Sequence, residues 1–108
     1  MGMDLWFEER ISKREFNDTE IAYWRNRHYI KNLVEAVTGE PVLSEDNSEI
    51  PVTMAQMIEM QRLLLERMTE EGPTDIDTYD EQVYDLEQIC KCLVFLATHE
   101  FIWFSASW

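Results

Sequence analysis

Two groups of side chains in this 108-residue chain have the types and spacing to do chemistry. The first is acidic: Thr69 to Glu87 holds eight acids and no base, namely Glu70, Glu71, Asp75, Asp77, Asp80, Glu81, Asp85 and Glu87. Carboxylates at that density attract basic protein surfaces and repel nucleic-acid phosphates. The second is an aromatic and basic patch, Tyr23, Trp24, Arg25, Arg27 and His28. Its rings suit stacking and its guanidinium groups suit phosphate or carboxylate. Read on a helix, Trp24 and His28 share one face and Tyr23 and Arg27 the next, while Arg25 and Arg27 diverge by about 200°. Two such arginines cannot grip one phosphate from the same subunit. Each group also has a plainer reading: acids keep a small protein dissolved, and Trp24 can pack in the core while His28 bonds a neighbour.

Other chemistries lack their residues. His28 and His99 are the only histidines, and neither accompanies a nucleophile motif. Three glycines, Gly2, Gly39 and Gly72, cannot build a phosphate-binding loop. Cys90 and Cys92, two apart on an expected helix, can neither bridge each other nor give zinc spacing, and read as buried thiols in a reducing compartment. The acids of Ser44 to Glu49 and of Asp75 to Glu81 miss the register of a calcium loop. No catalytic residue, cofactor or metal is therefore expected.

The formal net charge is −13, and it is segregated. Met1 to Val37 carries seven acids and six bases, whereas Thr38 to Trp108 carries fifteen acids and three bases. That field disfavours direct nucleic-acid binding and favours a basic protein partner. The charged start offers no signal-peptide core and no apolar run is long enough for a membrane span, so a cytoplasmic, single-domain protein covering residues 1–108 is expected.

The elements that must position these groups are expected to be three helices. Asn17 or Asp18 caps the first, which runs from about Asp18 to Thr38 and stops at Gly39, with Ile30, Leu33, Val34 and Val37 as its core stripe. Thr53 and Gln56 form a capping box for the second, Met54 to Glu71, whose apolar face is Met54, Met57, Ile58, Gln61, Leu64, Leu65 and Met68. Thr78 and Glu81 do the same for the third, Tyr79 to Thr98, with Val83, Leu86, Ile89, Cys90, Leu93, Leu96 and Ala97 inward. Met3 to Phe7 and the aromatic stretch after Glu100 read as strands. The expected fold is mainly α: a three-helix core with a short two-stranded antiparallel ribbon formed by the N- and C-terminal segments. Were Trp6, Trp103 and Trp108 exposed on that ribbon, they would suit a homodimer or another partner.

Glu20-Ile21-Ala22-Tyr23-Trp24-Arg25 with His28, then Tyr79-Asp80, then Phe104-Ser105-Ala106-Ser107-Trp108 give the chain a resemblance to a group of small acidic proteins of bacteriophages and prophages. Tyr29-Ile30-Lys31 departs from the Trp-Phe pair frequent there, and Asp77-Thr78 from the Gly-Ser that precedes Tyr-Asp. The resemblance implies phage infection as the setting, the host bacterial cytoplasm as the location, and action by binding and blocking host machinery. The leading expectation is a non-enzymatic inhibitor whose acidic, DNA-mimicking face docks on the nucleic-acid-binding groove of a basic host or anti-phage defence protein. The alternatives are a nucleotide or other small-ligand sponge built on Tyr23, Trp24, Arg27 and His28, and a structural or assembly protein.

Overall fold

A computed structural model describes residues 2–9, 19–42 and 49–108. Its elements run β1 (Asp4–Glu9), β2 (Thr19–Arg25), α1 (His28–Thr38), β3 (Ile50–Thr53), α2 (Met54–Glu71), α3 (Ile76–Leu96) and β4 (Phe101–Ser107). The four strands form one antiparallel sheet in the order β2-β1-β4-β3. This corrects the expected mainly α fold: three helices stand with a four-stranded sheet in an α+β arrangement, and the first and last strands pair as its centre instead of as a separate two-stranded ribbon.

The largest single correction lies in Thr19–Arg25, which is a strand and not the first half of a helix. Ala22 and Trp24 alternate inward, opposite Phe7 and Leu5 of β1. Asn26 then adopts φ 57°, a left-handed conformation that no continuous helix accommodates. Its backbone N–H donates to the Met3 carbonyl and its Oδ1 accepts from the Met3 N–H, both at 2.6 Å, so the residue that ends β2 also holds the start of β1. The helix begins only at His28, and the caps expected at Asn17 or Asp18 lie outside the described residues, as do residues 43–48 of the polar loop. Gly39 closes α1 in the left-handed conformation that glycine adopts without cost.

β3 is the strand that apolar patterning misses. It has four residues, Ile-Pro-Val-Thr, and Pro51 sits on an edge strand, the position in a sheet that tolerates proline. The next residues begin α2 on the Thr53–Gln56 capping box, with both reciprocal bonds made. Met57, Met60 and Leu64 are its buried positions, whereas Ile58 and Leu65, expected inward, are exposed. Four linker residues turn the chain from α2 into α3. There Asp75, not Thr78, is the cap: its Oδ1 accepts the Thr78 N–H at 2.8 Å, so α3 starts at Ile76.

One face of the sheet, carrying Leu5, Phe7, Ala22, Trp24, Val52, Ile102 and Phe104, joins the helices in a single core. Phe7 lies at its centre, with ring centroids 5.9 Å from Trp24 and 4.9 Å from Phe104. α3 meets this core with a face different from the expected one. Gln82, Asp85, Gln88, Ile89, Cys92 and Leu96 are buried, while Cys90 and Ala97 are exposed and Val83, Leu86 and Leu93 are half-buried. Apolar periodicity mistakes the face because half of the buried one is polar.

Candidate functional site

The polar side of α3 is built against β2, an edge strand whose outer backbone groups need partners. Gln88 Oε1 accepts the Tyr23 N–H at 3.2 Å, and the Tyr84 hydroxyl donates to the Tyr23 carbonyl at 2.6 Å. Side chains of the helix thus substitute for a further strand. One turn earlier Asp85, only 1% exposed, accepts from the Trp24 indole at 3.0 Å and takes a bidentate bond from Arg27, with Nη2 at 2.7 Å and Nε at 3.0 Å from Oδ2. Burial pushes the Asp85 carboxyl above the ordinary carboxylate range, and the Arg27 guanidinium and Trp24 indole pull it back. Arg27 also reaches Glu81 at 3.4 Å and lies 5.5 Å from the centroid of the Tyr29 ring, which Arg67 covers from 4.0 Å.

This strap floors a cleft of about 440 Å3 lined by Trp24, Arg25, Arg27, Asp77, Asp80, Glu81, Tyr84 and Asp85. Members of both expected groups therefore meet in one place, through β2 packing against α3 and not through a shared helical face. The premise that Trp24 and His28 lie one turn apart on a helix fails, as does the 200° divergence of Arg25 and Arg27, because the first member of each pair is in a strand. Trp24 is 2% exposed and offers no face for stacking. His28 is exposed at the first position of α1 and outside the cleft lining. Tyr23 turns to the other side of the sheet, its hydroxyl donating to Asp4 Oδ1 at 2.5 Å, and Arg25 pairs with the same oxygen at 3.1 Å.

The acids also separate into roles. Asp85 is a correction to the expected acidic face, since it is buried and neutralised inside the fold. Glu71 accepts from Arg67 at 2.7 Å and from Gln82 at 2.8 Å, and the Arg67 bond holds it below the usual carboxylate range. Asp75 is held low by its capping bonds to Thr78. Glu70, Asp77, Asp80 and Glu87 are exposed and make no ion pair among the described residues. Asp77, Asp80 and Glu87 stand one turn or two apart along α3, an acidic strip about 15 Å long at 1.5 Å per residue. Across the cleft itself, four acids outnumber the two arginines.

Sequence reasoning overlooks Tyr84 and Gln88, which strap α3 to β2, and Gln82, which donates to Glu71 of α2. A signal was present in the polar positions themselves: Gln82, Asp85, Gln88 and Cys92 recur every three or four residues, the helical period that the apolar count alone ignores. Among the described residues no group of three or more His, Cys, Asp or Glu is placed to hold a metal ion, and no helix is long and apolar enough to cross a membrane. No protein-family model, curated protein or solved structure matches the chain significantly.

Proposed function

We propose that this chain is a non-enzymatic, phage-encoded binding protein that blocks a basic host or anti-phage defence protein by presenting an acidic, DNA-mimicking surface to its nucleic-acid-binding groove. The observation that carries the reading is the set of carboxylates unpaired among the described residues, Glu70, Asp77 and Asp80, gathered at the α2–α3 turn and the start of α3 by a cleft in which acids outnumber bases. Free carboxylates on a rigid helix pair with Lys and Arg of a partner without first breaking internal bonds. The nucleotide reading has less support from the geometry. Trp24 is buried, and Arg27 already spends its guanidinium on Asp85 and Glu81.

The test is affinity capture from bacterial lysate with the tagged chain beside a variant carrying Glu70→Lys, Asp77→Lys and Asp80→Lys. Those positions are exposed and unpaired, so the variant keeps its fold. A basic nucleic-acid-binding protein held by the wild type, lost from the variant, eluted by rising salt and displaced by duplex DNA is the expected result. Identical capture by both chains, or capture insensitive to salt, overturns the proposal.

A further inference from the structure

Opposite its polar strap, α3 carries an apolar face that the described residues leave partly uncovered. Val83, Leu86, Glu87, Cys90, Lys91 and Val94 line an open groove of about 630 Å3. Val94 is 75% exposed, among the highest values for a large apolar side chain in the protein. The groove continues towards α2, where Gln61 Nε2 lies 3.8 Å from Cys90 Sγ and Ile58 and Leu65, one turn to either side of Gln61, are exposed.

The face is self-complementary. Reversed end for end about a point level with Gln88 and Ile89, Val83 falls opposite Val94, while Leu86 and Cys90, and likewise Lys91 and Glu87, fall within one residue of the same level. In an antiparallel helix pair, residues on the same flank of the two helices meet. Glu87 and Lys91 share a flank, are exposed, and make no ion pair among the described residues. We propose that this groove is the contact between two copies of the chain, α3 packing antiparallel on α3 about a two-fold axis, with Val83 against Val94 and Lys91 of each copy against Glu87 of the other. An isologous contact makes each of these pairings twice. The opposing force is the −13 charge of each copy, which salt screens. Dimerisation therefore strengthens as ionic strength rises, the reverse of what an acidic face does with a basic partner.

Two measurements test this on the intact chain. Sedimentation gives the mass against the 12.9 kDa monomer at low and high salt. A short bismaleimide cross-links Cys90 to Cys90, which lie about 4.5 Å apart along axes separated by about 8–10 Å in the proposed pair. Cys90 is the reporting thiol, since Cys92 is buried and pushed up to about 12 by that burial. The expected results are twice the monomer mass at about 0.5 M salt, with less dimer at about 0.05 M, and a cross-linked species reduced at least tenfold by Val94→Glu. Lys91→Glu weakens it, and Glu87→Lys with Lys91→Glu in one chain restores it, because the swap preserves the pairing across the axis. A monomer at both salt concentrations, cross-linking unchanged in Val94→Glu, or a double variant as weak as Lys91→Glu overturns the proposal. The charge variants Glu70→Lys, Asp77→Lys and Asp80→Lys leave out the groove residues, so loss of partner capture and loss of dimer are separate outcomes.

Discussion

The two sides of α3 invert the usual division of labour on a helix. One side buries Asp85 and Gln88 against β2 and Gln82 beside Glu71 of α2, and the side away from the sheet exposes Val94 and Cys90. Burying polar groups costs free energy unless each finds a partner. Here the Tyr23 backbone, the Trp24 indole, Arg27 and Glu71 supply the partners, so the polar side fixes the position of α3 on an otherwise open sheet edge. The apolar side holds Leu86 half-buried against the core but leaves Val94 75% exposed. The contrast separates what the fold requires from what is left for contact with another molecule.

The sharpest way to break the polar side is Asp85→Ala, which leaves Arg27 without its carboxylate and the Trp24 indole unpaired in the core. The expected loss is about 3 kcal/mol, at the low end for a broken buried pair because the Arg27 side chain is partly exposed. Urea denaturation measures it, and a loss below about 1 kcal/mol would show that the pair does not anchor α3. Gln88→Ala should cost less, about 1–2 kcal/mol, by leaving the Tyr23 N–H without its acceptor at a strand edge; slower hydrogen exchange at that amide than in the wild type would contradict the assigned bond. Val94→Glu sharpens the comparison from the other side: monomer stability should stay within about 0.5 kcal/mol of the wild type while the dimer is lost. The smallest effect concerns Glu35, held below the usual carboxylate range by the Lys31 ammonium and then by the Val42 N–H. Because its folded value is the lower one, its contribution is present above the ordinary carboxylate range and fades as pH falls through the lowered value. The stability difference between wild type and Glu35→Gln should shrink along that interval, and a difference constant with pH would refute the assignment.

What the sequence discloses depends on how local the determining interactions are. α2 is legible end to end because its capping box and Gly72 lie within the helix and at its border. β2 is not, because Tyr23-Trp24-Arg25 followed by Arg27 and His28 fits a helical wheel as well as a strand, and the deciding features are a left-handed Asn26 and pairing with β1. The same holds for the site. The exposed acids of α3 are visible as a charge run, but the fate of Asp85 depends on Trp24 and Arg27, about 60 residues away in the chain, and no spacing rule joins them.

The central pairing of the sheet also sets a clock. β1 and β4 meet through contacts such as Ser105 to Glu8, 97 residues apart, and β3, which pairs with β4, has no place in the sheet before they do. A ribosome adding about 5–20 residues per second takes about 5–20 s to span that interval. During this wait β1 has only β2 beside it, held by the Asn26–Met3 clamp, and its other edge stays open to any strand that passes. β4, made after the other three described strands, closes the sheet, so the window for misassociation of the nascent chain stays open until Phe101–Ser107 emerges.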